Sequence, residues 1–131
     1  MNTQQKIESI LLIRIANGMY RQKESIIKGN NYLSMLIDVF NEDYNWTEVV
    51  KEELLDPSSR GISGNKCDII IKSNKVIIEP QFVDNPEDYA IDIDRDVLLS
   101  IIDTWEKLNA KQCQEITFTR HVNGTITLAG E

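Results

Sequence analysis

Apolar residues fall in short blocks along this chain, and their spacing changes from block to block. From Gln5 to Tyr20 the residues Ile7, Ile10, Leu11, Ile15 and Met19 stand three or four places apart, the repeat that lines up side chains on one face of a helix. That spacing predicts a helix over 5–20, with Asn17-Gly18 as its stop, because glycine readily takes the left-handed turn that ends helices. Residues 21–31 are basic and close on Gly29-Asn30-Asn31, a loop signature. The run from Tyr32 to Phe40 is too short for its period to separate strand from helix, and its large apolar residues favour a buried helical turn. A further helix is expected over 48–55. Thr47 is placed to cap it, Glu48 suits the positive end of its dipole, and Pro57 follows its end.

The second half of the chain reads mainly as strands. Cys67–Lys72 and Val76–Glu79 are rich in β-branched residues and are joined by Ser73-Asn74-Lys75, a length suited to a hairpin. Pro80 and Pro86 bracket an acidic loop, and Tyr89–Ile93 alternates as a short edge strand. Asp94 is positioned to cap a helix over 95–109, in which Leu98, Ile101, Ile102, Trp105 and Leu108 form one stripe. Glu115–Arg120 and Thr125–Leu128 alternate around Asn123-Gly124, a strong hairpin signal. The expected architecture is α+β: N-terminal helices, one antiparallel sheet built from two hairpins and a short edge strand, and a long acidic helix packed on that sheet.

At 131 residues and 41% apolar content the chain closes one core, so residues 1–131 read as a single domain. The longest apolar run, Ile10–Ile13, is far short of the ~20 residues of a membrane-spanning helix. Met1–Lys6 does not have the charged-then-apolar pattern of a secretion signal, and the expectation is a cytoplasmic protein. Cys67 and Cys113 are too few and too far apart for a disulfide framework or a paired metal site. They read as buried thiols, with a nucleophilic role only if His121 lies beside one of them.

The net charge of −7 is unevenly laid out. Residues 38–56 carry −6 and residues 79–106 carry −8, while the segments 1–37 and 57–78 each carry +3. Two acidic blocks folded onto one face repel nucleic acid and attract a basic partner. Solvated carboxylates that keep the chain soluble are the competing explanation.

Asp92-Ile93-Asp94-Arg95-Asp96 begins like a calcium loop, but Val97 stands where that loop needs glycine and Asp103 where it needs a bidentate Glu. No phosphate-binding glycine loop, zinc-binding HExxH pair or nucleophile elbow is present. No catalytic residue, metal or cofactor is therefore expected. Phe40, Tyr44 and Trp46 beside Glu42 and Asp43 form a possible acidic, aromatic edge, with core packing the competing role for Phe40 and Trp46.

Two resemblances bear on function. Asp68 on one hairpin strand, with Glu79-Pro80-Gln81 closing the other, resembles the metal-binding hairpin of the PD-(D/E)xK nucleases, with Glu52 or Glu53 as an extra helical carboxylate. Gln81 occupies the position of the catalytic Lys and brings no positive charge to it. The second resemblance runs from about residue 67 to 128. The hairpin, Asp88–Asp94, the helical segment Val97–Leu108 and the last hairpin resemble bacterial immunity proteins of contact-dependent growth inhibition systems, in which polymorphic toxins are neutralised. That resemblance implies a cytosolic inhibitor, not an enzyme, whose partner is a basic toxin C-terminal domain, often a nuclease. Under it, Asp84, Glu87, Asp88, Asp92, Asp96, Asp103 and Glu106 are expected to meet Lys and Arg of the toxin, with Tyr89 and Tyr44 as anchors. The metal-dependent nuclease on Asp68 and Glu79 is the alternative.

Overall fold

A computed structural model describes residues 6–15, 18–27, 32–40 and 46–131. Its first element is a strand, β1 (Lys6–Arg14), and its second is β2 (Tyr20–Ile27), the two paired antiparallel. This overturns the helix expected over 5–20. Glu8, Ile10 and Leu12 alternate as buried positions, while Ser9, Leu11 and Ile13 between them are half-buried. Apolar residues fall on both faces of this strand, Ile10 and Leu12 on the buried one and Leu11 and Ile13 on the other, and such a block matches a helical repeat by accident. Gly18, at φ +82°, serves the turn between β1 and β2 and not a helix end.

Two short helices follow, α1 (Tyr32–Ile37) and α2 (Trp46–Leu55). Helix α2 begins one residue before Thr47, which lies within it and is buried. Next come β3 (Gly61–Ser63), β4 (Cys67–Lys72), β5 (Lys75–Pro80) and β6 (Ile91–Asp94), then α3 (Arg95–Ala110), β7 (Glu115–His121) and β8 (Ile126–Gly130).

Among the described residues the strands form two antiparallel sheets where one was expected. One has the order β2-β1-β7-β8 and the other β3-β4-β5-β6. The C-terminal hairpin pairs with the N-terminal strand, Ile10 facing Phe118, and not with the central hairpin. The long acidic helix on a single sheet is corrected as well. Helix α3 has 16 residues, sets Asp96, Asp103 and Glu106 against Arg95 and Lys107, and touches β8 of one sheet, β6 of the other and α2. Among the described residues no helix is long and apolar enough to cross a membrane.

The core gathers Trp105 of α3 with Tyr20, Phe40 and Phe118, at ring separations of 5.1, 5.2 and 5.8 Å. Phe40 is 4% exposed, so it belongs to this core and not to a binding edge. Cys67 and Cys113 are buried and free. His121 ends β7, roughly 20 Å of strand away from the Cys113 end. Its Nε2 lies 3.0 Å from the Thr127 hydroxyl.

A chain of polar contacts ties the two sheets through α1. Buried Glu8 accepts the main-chain N–H of Leu33 at 3.2 Å and pairs with Arg120 at 3.4 Å. The Arg120 guanidinium stands 4.3 Å over the Tyr32 ring, whose hydroxyl donates to the Asp92 carbonyl at 2.8 Å. Burial raises the Tyr32 pKa, which keeps the phenol protonated as a donor.

Candidate partner-binding surface

The loop between β5 and β6 begins at a side-chain clamp. Strand β5 ends with Pro80 opposite Cys67. The next residue, Gln81, donates its main-chain N–H to the Lys66 carbonyl at 3.2 Å. Its side-chain amide donates at 2.8 Å to both the Gly64 carbonyl and Oδ1 of Asp68, with the Cys67 carbonyl at a longer 3.4 Å. A primary amide has two N–H bonds, and the two short contacts use both.

Beyond the clamp, Phe82 stands at φ +62° with 94% of its surface exposed. A bulky aromatic residue avoids the left-handed region, and burial does not explain this one. Val83 and Tyr89 are also exposed. The chain then turns through a 3-10 segment, Pro86–Asp88, and the Tyr89 N–H donates to the Pro86 carbonyl at 3.0 Å. This fold-back brings Val83 and Tyr89 onto one pocket with Pro80 and with Ser34, Met35 and Asp38 from α1 and its end, a volume of about 360 Å³. Exposed Asp84, Glu87 and Asp88 lie on the same loop.

The expected partner-binding residues divide into groups. Asp84, Glu87, Asp88 and Tyr89 share the loop and face solvent. Asp92 is exposed on β6, directly after it, and Asp96 is exposed in the first turn of α3. Asp103 and Glu106 lie further along α3 and are already paired, with Lys107 at 3.2 Å and Lys51 at 3.1 Å. Glu106 lines a different hollow, with Thr47, Glu48, Trp105, Asn109 and Ala110. Tyr44 lies outside the described residues. Sequence reasoning missed Phe82 and Val83. Their signal was an apolar pair standing in an acidic segment between two prolines, where no core position was expected.

The basic residues nearest the loop in sequence, Lys75 and Arg95, make their contacts elsewhere. No Lys or Arg occurs between Lys75 and Arg95. Lys75 binds Asp94 at 2.8 Å, which raises its pKa. Asp94 therefore precedes α3 without a side-chain capping bond. Arg95 donates to the carbonyls of Leu54, Asp56 and Ser73 at 2.6, 3.0 and 3.0 Å, joining the end of α2 to the β4–β5 turn.

On the hairpin, Asp68 and Glu79 face each other across β4 and β5, both half-buried. The amide of Gln81 occupies Asp68, and Glu53 accepts the Ser59 hydroxyl at 2.6 Å. Among the described residues no group of three or more His, Cys, Asp or Glu is placed to hold a metal ion. The aspartates of the calcium-like run are dispersed, Asp92 and Asp94 on β6 and Asp96 on α3. No family model, curated protein or solved structure matches this chain.

Proposed function

We propose that this chain is an immunity protein. On this reading it works in the cytoplasm, where it binds the C-terminal domain of a cognate toxin, a basic nuclease, and occludes its substrate surface without catalysing a reaction. The observation that carries the reading is the exposed Phe82, Val83 and Tyr89 group on a loop that also bears Asp84, Glu87 and Asp88. Tight interfaces combine a few desolvated aromatic anchors with a polar rim. Carboxylates around such anchors steer a basic partner into contact and complement the cleft with which a nuclease holds phosphate. The resemblance of residues 67–128 to contact-dependent growth inhibition immunity proteins supports the same assignment. On the hairpin, Gln81 serves as the clamp that fixes this loop.

Co-expression with the C-terminal domain of a large secreted protein encoded next to this chain tests the proposal. The expected result is a pair that co-purifies and whose association slows steeply as salt is raised. A neighbouring toxin domain that neither co-purifies nor changes its activity in the presence of this protein overturns it.

A further inference from the structure

We infer that strand β8 is the interface of a homodimer, in which two copies of this chain join edge to edge about Leu128. The inference goes beyond the toxin-binding reading and does not depend on it.

The ladder between β7 and β8 decides which main-chain groups of β8 point outward. Glu131 and Glu115 each donate an N–H to the other's carbonyl, at 2.9 and 3.1 Å, and the His121 N–H donates to the Thr125 carbonyl at 2.8 Å. Between these two points the register is unbroken, from Ile116 opposite Gly130 to Arg120 opposite Ile126. Bonded and non-bonded pairs alternate along an antiparallel ladder, so Thr127 and Ala129 bond to β7 while Ile126, Leu128 and Gly130 turn their N–H and C=O groups away from it. Strand β8 is the last of its sheet, and among the described residues nothing hydrogen-bonds to these outward groups.

The other sheet edges are guarded. Strand β2 carries Arg21, Lys23 and Glu24, β6 carries Asp92 and Asp94, and β3 has only three residues. Charge and short length both keep an edge strand from pairing with another chain. Strand β8 has five residues, with no charge and no proline. It offers no carboxylate to draw the basic segment of a toxin, so the occupant is argued from its fit to itself.

About a two-fold axis at Leu128, that residue faces Leu128 of the second copy, and Ile126 faces Gly130 of the second copy. Every outward N–H and C=O then meets a counterpart, whereas a register shifted by two leaves one residue of each copy unmet. Side-chain sizes suit the same register. A Cβ on Gly130 would lie 2.7 Å from the Cys113 sulfur and 2.8 Å from Cδ2 of Leu108, so this position stays without a side chain and leaves room beside Ile126. Ile126 and Leu128 pack on the core yet remain half-buried, and self-pairing covers more of their apolar surface. Thr127 and Ala129, exposed on the other face of the sheet, come opposite each other. Each copy carries a net charge of −7, so salt tightens this pair, the reverse of its effect on a basic partner.

Sedimentation velocity of the full chain, with amide hydrogen exchange at Ile126, Leu128 and Gly130, tests the inference. One strand pair is a small interface, so the expected result is a monomer at about 1 µM and a dimer by about 300 µM. The three amides are expected to slow as the dimer forms, and association to be tighter in about 0.3 M than in about 0.05 M salt. Thr127→Lys with Ala129→Lys sets like charges opposite each other while reducing the net charge, and is expected to weaken the dimer about tenfold. Thr127→Lys with Ala129→Glu sets opposite charges there at unchanged net charge, and is expected to associate at least as tightly as the wild type. Both variants change exposed positions, and circular dichroism checks that each is folded. A wild type that stays monomeric to about 300 µM, a double-lysine variant that dimerises unchanged, or a charge-pair variant as weak as the double-lysine one overturns the inference. Slowed exchange of the three amides only on adding toxin overturns it as well and assigns the edge to the toxin. Because the protein is measured alone, dimerisation is read independently of whether a toxin co-purifies.

Discussion

The side-chain amide of Gln81 donates to Oδ1 of Asp68 at 2.8 Å, and the residue that follows it, Phe82, is the most exposed large apolar residue described. The two facts belong together. A loop anchored at its base holds an aromatic side chain in solvent at little further ordering cost when a partner arrives. Gln81→Ala is expected to lower stability by about 1–2 kcal/mol, since carbonyl and carboxylate partners lose their donor. Urea denaturation measures the loss, and faster amide hydrogen exchange at residues 82–89 locates it. Unchanged exchange there would show that the clamp does not organise the loop.

Phe82 separates stability from binding. Asparagine tolerates the left-handed region far better than phenylalanine, and the side chain buries almost nothing in the free protein. Phe82→Asn is therefore expected to raise stability by up to about 1 kcal/mol while weakening partner affinity by roughly tenfold or more. Calorimetry of the free protein and of its complex reads both effects, and a drop in stability would mean that the ring packs more than its exposure indicates.

Glu8 and Arg120 form the buried ion pair that joins β1 to β7, with Glu8 carrying no exposed side-chain surface. Arg120→Met leaves that carboxylate without its cation and is expected to cost about 3–5 kcal/mol. The double change Glu8→Leu with Arg120→Met removes the stranded charge, so it is expected to recover part of the loss in denaturant midpoint. A double variant that falls by the sum of the two single changes would contradict coupling between them.

Acid sensitivity is expected at the end of α2. The Asp56 carboxylate accepts the Ser58 main-chain N–H at 2.9 Å and its hydroxyl at 2.8 Å, which lowers the Asp56 pKa from its ordinary 3.8. A lowered carboxylate pKa gives stability that is complete above the unfolded value and is lost as pH falls through the folded one. The gap in urea midpoint between the wild type and Asp56→Ala should hold at neutral pH and narrow below about 3.8. A gap independent of pH would assign the effect to packing instead.

The hairpins at 67–80 and 115–130 were legible because β-branched runs and an Asn-Gly turn are local signals. The first strand was not. Its inward-facing Glu8 breaks the alternation that marks a strand, and only the distant Arg120 makes a charge acceptable at that position. Sheet membership was hidden for a similar reason, since the pairing of Ile10 with Phe118 spans nearly the whole chain. At the candidate site the carboxylates were visible as a charge block. Phe82 was not, because its exposure depends on a clamp formed by Gln81 with residues on the preceding strand and turn.

Growth protection by surface variants tests the central claim most directly. Cells expressing the neighbouring toxin domain would be given the wild type, a loop variant with Phe82→Ala, Tyr89→Ala, Asp84→Asn, Glu87→Gln and Asp88→Asn, or a helix variant with Asp103→Asn and Glu106→Gln. Each is first shown to be folded. The expected result is protection by the wild type and the helix variant, whose changed residues already pair with Lys107 and Lys51, and loss of protection with the loop variant. Full protection by the loop variant, or no protection by the wild type, would contradict the account.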